Sequence, residues 1–356
     1  MENPQPSSAT TLPTGYELNV YKIKDILGQG GFGITYLAHD NSLERDVAIK
    51  EFVPQGMVTR GEDYTLHSIK SDDDDSVCSL EWGLERFIRE AKTLSKFNHP
   101  NIVRVHTVFE ANNSAYMVMS YEKGVTFQEI LKKGQPSEDE LTDMIMGILD
   151  GLEGMHAEGF IHRDIKPGNI FIRADGSALL LDFGSARQAI GEETHTLTKI
   201  ASPGYAPFEQ YYGRSDMQGP WTDIYALGAT LYRAITGEAP VDATFRNRSS
   251  GEEAIQEVVD ILDKHNDKYS PCFLRAVEHA IRTNHKERPQ TVAEWRLMFA
   301  DPSVSTVTQW RYVASNFRNK SENRQEKKKS HLKDYLVFVS LAIILAAVVF
   351  TYLQNS

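Results

Sequence analysis

The sequence predicts an α+β chain, strand-rich over roughly its first third and helical beyond, with one transmembrane helix near its C-terminus. Three patterns carry that prediction. Before residue 122, short polar–apolar alternations flank a glycine-rich turn, as strands do. Between about residues 80 and 300, apolar residues recur at three- and four-residue spacing, as on amphipathic helices. At 335–353 there are 19 residues without a charge. At about 1.5 Å per residue this run reaches roughly 28 Å, close to the hydrocarbon thickness of a bilayer.

A chain of 356 residues, 41% hydrophobic and 24% charged, can bury one large core or two modest ones. Its formal net charge of -11 argues against a nucleic-acid partner, which normally meets a basic excess. The two cysteines, Cys78 and Cys272, lack metal-type spacing and suit a reducing compartment. Residues 1–15 are rich in Pro, Ser and Thr and are expected to be disordered; they carry no basic-apolar targeting pattern.

Taken in order, Tyr21, Ile23 and their polar neighbours Lys22 and Lys24 read as a strand that runs into Gly28-Gln29-Gly30-Gly31-Phe32-Gly33. Such a glycine pattern also opens dinucleotide-binding folds, and Glu51 stands near the spacing of their ribose-binding acid. The following Ile34-Thr35-Tyr36-Leu37 is β-branched and aromatic, so it predicts a second strand where those folds need a helix. A hairpin results, with glycines that let backbone approach charged oxygens. Val47-Ala48-Ile49-Lys50 is a third strand. Residues 54–82, with Pro54, Gly56, Gly61 and the run Asp72-Asp73-Asp74-Asp75, read as a loop insertion. Four like charges in a row mark a solvated loop more often than a cation site. Leu84, Phe87, Ile88, Ala91 and Leu94 predict a helix from about Leu80 to Phe97 carrying Glu90, and Ala115 to Tyr121 predict another strand. Ser137 and Glu140 form a capping box for a helix whose buried stripe is Leu141, Met144, Ile145, Ile148, Leu152 and Met155. Gly237 is a helix stop, and Thr291 with Glu294 caps a last helix ending near Ala300.

The helix after Ser137 delivers the chain to His162-Arg163-Asp164-Ile165-Lys166-Pro167-Gly168-Asn169, and Asp182-Phe183-Gly184 follows an apolar strand. A loop carboxylate, an amide and a second carboxylate at a strand end are the set that metal-assisted phosphoryl transfer needs. This constellation resembles the catalytic and metal-binding loops of bacterial eukaryotic-like (Hanks-type) serine/threonine protein kinases, and the match covers about residues 16–300. Lys50-Glu51-Phe52-Val53-Pro54 with its long insertion resembles a bacterial subgroup of them. The resemblance implies a two-lobed protein-kinase fold, with a β-rich N-lobe at 16–122 and a helical C-lobe at 123–300.

It also implies the site. Asp164 would take the substrate hydroxyl's proton and Lys166 would sit against the transferring phosphate. A Lys two residues after the catalytic Asp is the serine/threonine form. Lys50, paired with Glu90, would hold ATP phosphates, and Asn169 and Asp182 would hold Mg²⁺. Leu27, Gly28, Gln29, Gly30, Gly31, Phe32, Gly33, Ile34, Thr35, Ala48 and Met119 would surround the nucleotide, with Thr35 standing where the family usually has Val. Thr194, Thr196, Thr198 and Ser202 fall in an activation segment, where Arg163 is a cation that a phosphate could meet. Ala206-Pro207-Phe208-Glu209 resembles the closing Ala-Pro-Glu motif, with Phe208 in the place of Pro. Glu209 would pair with Arg288, and Asp223 would brace the catalytic loop.

Protein Ser/Thr substrates are the implied partners. A catalytically silent scaffold is disfavoured because every catalytic position is filled, and a small-molecule kinase because the activation segment suits an extended peptide. Residues 301–334 read as a polar tether. Lys327, Lys328, Lys329 and Lys333 precede the apolar run, so the positive-inside rule places the domain in the cytoplasm, anchored to the cytoplasmic membrane by a single-pass tail. The competing reading of 335–353, a buried core helix, is weakened by its lack of a polar face. The sequence leaves dimerisation open.

Overall fold

The structure, a computed structural model, describes residues 11–69, 75–182, 202–211, 217–246 and 251–299. The first compact unit of the chain ends at Ala300. The expected tether at 301–334 and apolar span at 335–353 lie outside the described residues. Among the described residues, no helix is long and apolar enough to cross a membrane.

The first lobe is built on β1 (Glu17–Leu18), β2 (Tyr21–Gly30), β3 (Gly33–Asp40), β4 (Arg45–Phe52), β7 (Val105–Ala111) and β8 (Ser114–Ser120), in an antiparallel sheet of order β1-β2-β3-β4-β8-β7. Alternation along the strands gives this sheet two apolar faces. Ala48 and Phe52 of β4 and Ala115, Met117 and Met119 of β8 face a core shared with the helices. Ile34, Tyr36 and Ala38 of β3, Val47 and Ile49 of β4, and Tyr116 and Val118 of β8 face a second cluster, here called the roof.

What covers the roof departs from two sequence expectations. The insertion is more than a loop: β5 (Val58–Arg60) and β6 (Leu66–Ser68) pair as a hairpin that buries Val58 and Leu66 against the sheet. The leading segment, expected to be disordered through residue 15, is ordered from residue 11. Leu12 is 1% exposed in the roof, and the Gly15 amide donates to the Ile23 carbonyl at 2.7 Å. One leucine in a polar segment carries no periodicity, which is why only the fold shows it.

α1 (Asp75–Leu94) begins five residues before Leu80, at the last aspartate of the acidic run. It places Phe87, Ala91 and Leu94 in the shared core. A small sheet, β9 (Gly124–Thr126), β10 (Ile170–Arg173) and β11 (Ala178–Leu180), brackets the catalytic loop in the order β11-β10-β9. α2 (Phe127–Leu131) follows β9 directly. α3 (Glu138–Ala157) has the expected capping box, with Ser137 Oγ accepting from the Glu140 amide and Glu140 accepting from the Ser137 amide.

In the helical lobe, α4 (Phe208–Tyr211) precedes α5 (Pro220–Thr236), which is buried along most of its length and stops at Gly237 in the left-handed region, φ 87°. α6 (Ala243–Arg246), α7 (Gly251–Leu262), α8 (Pro271–Ala280) and α9 (Val292–Met298) complete it. Thr291 Oγ1 accepts from the Glu294 amide at the start of α9, whereas the Glu294 carboxylate turns to the Gln290 amide. Truncating Leu12 to Ala, which vacates a fully buried site, is expected to lower unfolding free energy by roughly 2–4 kcal/mol in urea titration. A segment lying loosely on the surface would lose next to nothing.

Candidate active site

The loop from His162 to Asn169 is pinned from below. Asp223, in the first turn of α5 and 0% exposed, accepts the backbone amides of His162 and Arg163 at 2.8 Å each. His156, at the end of α3, brings Nε2 to the same carboxylate at 2.8 Å. These contacts, with the attraction of His156 and His162, hold the Asp223 carboxyl below its ordinary pKa despite the opposing effect of burial. Arg163 takes φ 70°, uncommon for a residue with a Cβ, and its carbonyl accepts from Gln210 Nε2 at 2.8 Å. His162 is fully buried with Nε2 beside the Leu181 carbonyl at 2.8 Å, tying the catalytic loop to the strand end that precedes Asp182.

On this platform the predicted residues converge. Lys166 Nζ donates to both Asp164 oxygens, at 3.0 and 2.8 Å. Asn169 Nδ2 donates to the Asp164 carbonyl at 2.8 Å and to its Oδ2 at 2.9 Å, and lies 3.5 Å from the Asp182 carbonyl. Lys50 Nζ pairs with Asp182 Oδ1 at 3.0 Å. Burial opposes the Lys50 charge, but attraction from Asp182, then Glu90 and Asp164, outweighs it and raises its pKa. Glu90 is buried on α1 and its charge is one of those that raise the Lys50 pKa; the ion pair seen at Lys50 is the one with Asp182. Ser202 Oγ donates to Asp164 Oδ1 at 2.9 Å and accepts from Lys166 Nζ at 3.2 Å. A serine hydroxyl thus already rests on the proposed base.

The nucleotide positions separate by face. Thr35 is the register partner of Lys50, and Ala48 pairs with Met119, so all four point toward the cleft. Leu27 to Gly30 lie exposed at its lip. A Cβ on Gly33 would stand 2.6 Å from the Glu51 carbonyl oxygen, so only glycine fits there. Ile34 does not belong with the nucleotide contacts. The two-residue strand period turns its side chain, 0% exposed, into the roof opposite Thr35. Glu51 likewise points into the roof, away from any ribose.

For a metal, the donors are hard oxygens. Asn169 commits its nitrogen to Asp164, so its amide oxygen and the Asp182 carboxylate are the oxygens that would hold Mg²⁺, an ion usually bound by one or two protein oxygens plus phosphates. No cluster of three or more metal-ligating His, Cys, Asp or Glu side chains occurs among the described residues. At the far end, Arg288 donates to Glu209 at 2.7 and 3.2 Å, as expected, and both are buried. Thr194, Thr196 and Thr198 lie outside the described residues. His156 and Gln210 escaped the sequence reading because their partners stand 67 and 47 residues away without local pattern.

Residues 21–296 match the model of the protein kinase domain. The chain is 31% identical over 283 residues to serine/threonine-protein kinase C of Synechocystis, covering 76% of this chain and 47% of that protein. It is 32% identical over 284 residues to serine/threonine-protein kinase PknB of Mycobacterium leprae, covering 78% and 42%. It thus spans less than half the length of these curated relatives. Among solved structures, the apo form of PpkA-294 superposes with a TM-score of 0.73 at 34% identity, covering 82% of this chain and all of that one. The Mycobacterium tuberculosis PknI kinase domain, at 22% identity and TM-score 0.59, shares the fold.

Burial lowers the pKa of His162 below 6.5, against the attraction of Asp223, and burial likewise lowers that of His106. Between each lowered value and about 6.5 the unfolded chain binds a proton that the folded chain refuses. Stability is therefore complete above about pH 6.5 and falls as the pH drops, by at most about 1.4 kcal/mol per unit for each histidine. Urea unfolding at pH 7 and 5.5 should show this slope, and His162→Asn should flatten it. An unchanged slope in that variant would contradict the assignment.

Proposed function

The chain belongs to the protein kinase family, in its serine/threonine branch, and from that premise we propose that it transfers the γ-phosphoryl group of ATP to Ser or Thr hydroxyls of proteins. The observation that carries this reading is the Ser202 hydroxyl, held 2.9 Å from Asp164 with Lys166 3.2 Å from the same oxygen. A substrate hydroxyl placed in that relation has its proton directed at a carboxylate and its oxygen beside a cation. As the bond to phosphorus forms and the bond to the ADP oxygen breaks, Asp164 takes the proton. Lys166 and Lys50 face the spreading negative charge. Asn169 and Asp182 would hold Mg²⁺, which supplies charge neutralisation on the phosphates when bound. Asp223 acts earlier, by holding the loop ready.

Regulation and location complete the proposal. Autophosphorylation of the loop at Thr194, Thr196 or Thr198 would bring a dianion to the neighbourhood of Arg163 and order the segment. The uncharged run at 335–353, preceded by Lys327, Lys328, Lys329 and Lys333, supports anchoring of the domain to the cytoplasmic face of a membrane.

Incubating the detergent-solubilised full chain with labelled Mg-ATP and a generic Ser/Thr protein should put label on Ser or Thr. Asp164→Asn should reduce the rate by roughly 10²–10⁴. Label that persists at the wild-type rate in this variant would remove Asp164 from the chemistry. Replacing Thr194, Thr196 and Thr198 together by Ala should lower activity toward the protein substrate, and full activity in the triple variant would refute the loop-phosphate proposal.

A further inference from the structure

Behind the strand that carries Lys50 lies a buried charge that phosphoryl transfer does not use. Lys50 and Glu51 are consecutive in β4, so the pleat sends them to opposite faces. Lys50 meets Asp182 in the cleft, while Glu51, 0% exposed, enters the roof. There its carboxylate accepts from Arg60 Nη2 at 2.7 Å, from the Tyr36 hydroxyl at 2.8 Å and from the Tyr116 hydroxyl at 2.5 Å. Arg60 comes from β5, in the insertion; its side chain is 1% exposed, and its Nη1 donates to the Tyr64 carbonyl at the hairpin turn. Burial and the nearby Glu51 charge both push the two tyrosine hydroxyls to higher pKa, so they remain donors.

The chain between Glu51 and the hairpin is also fastened to the glycine-rich turn. The Val53 amide donates to the Phe32 carbonyl at 3.1 Å, and the Gln55 amide to the Gly31 carbonyl at 2.8 Å. Gly33 packs against the same place, since a Cβ there would stand 2.6 Å from the Glu51 carbonyl oxygen and 3.6 Å from Lys50 Cε. One short stretch of backbone thus carries the phosphate-binding lysine on one side, the turn over the phosphates on its edge, and the Glu51 anchor behind.

We infer that Arg60 is a positioning residue for the nucleotide site: by holding Glu51 from the insertion, it sets Lys50 and the glycine-rich turn in their binding geometry. A buried carboxylate stripped of its cation must neutralise or reach water. Reaching water requires β4 to twist about its axis, and that twist carries Lys50 away from the phosphates and strains the clips to Phe32 and Gly31. Arg60 touches no nucleotide, so its effect is transmitted entirely through β4 and the segment after it. The inference rests on the kinase reading only for the identity of the ligand.

The test is equilibrium binding of a fluorescent ATP analogue with Mg²⁺ to the detergent-solubilised full chain, well below each variant's unfolding midpoint, alongside KM values for ATP and for a protein substrate. Arg60→Met is expected to weaken nucleotide binding and raise KM for ATP by roughly ten- to a hundredfold, the scale of a displaced catalytic group. The KM for protein substrate should stay near the wild-type value. Adding Glu51→Gln to that variant, which removes the stranded charge, should recover most of the loss. Wild-type nucleotide affinity in Arg60→Met, whatever happens to its melting temperature, would overturn the inference and leave the pair as roof packing. If Arg60→Met does not fold, Tyr116→Phe keeps the ring and removes one donor to Glu51. A several-fold weaker affinity then supports the inference, and an unchanged one overturns it. A wild-type chain that binds nucleotide but labels no protein would sink the transfer reading separately, because the affinity comparison does not depend on turnover.

Discussion

Asp223 has no contact with solvent, yet it is ionised and receives two backbone amides from the loop above it and the imidazole of His156. A carboxylate in such a place is tolerable only while all its acceptors are filled, so the loop is not free to choose another path. The left-handed backbone at Arg163 is a consequence, since two successive amides must turn toward one carboxylate. With the loop held, Lys166 and Asn169 both fall into hydrogen-bonding range of Asp164, whose side chain stays partly exposed at 13%. Catalytic order in this fold therefore begins beneath the cleft, in the helix that forms the centre of the larger lobe.

The smaller lobe solves the complementary problem from above. Its sheet is apolar on both faces, one contributing to the cleft and one closed by the roof. The insertion hairpin, through Val58 and Leu66, and the leading segment, through Leu12, both join the cluster on that second face. A buried polar cluster of Glu51, Arg60, Tyr36 and Tyr116 sits within this apolar cover. Such a cluster adds little net stability compared with hydrophobic packing, but it discriminates sharply between one strand register and any other. The Leu12 amide, donating to the Tyr36 hydroxyl at 3.1 Å, extends the same network to the leading segment.

Between the lobes, the Lys50–Asp182 ion pair is only partly screened from water, with 17% and 38% of the side chains exposed. Its value lies in placement rather than stability. It brings a lysine from the sheet within 3.0 Å of a carboxylate at the strand end that follows β11.

Much of this was legible in the sequence. The catalytic loop, the glycine-rich turn and the strand lysine are local motifs, because each must present several groups from one short stretch, and local geometry demands particular residues at fixed spacing. The capping box at Ser137 and the stop at Gly237 were readable for the same reason, and the Glu209–Arg288 pair was reachable through a family resemblance. What the sequence could not determine is which face a residue serves and what lies across from it. Ile34 sits beside Thr35 in the chain but on the opposite side of the sheet, so proximity to a motif misplaced it. Arg60 stands in a stretch rich in turn residues, and Leu12 in a polar leader, with no period to mark either as buried. Their roles come into being only when β5 folds over β4 and the leader crosses β3, because burial and charge compensation are properties of the assembled layers and have no expression in the order of the residues.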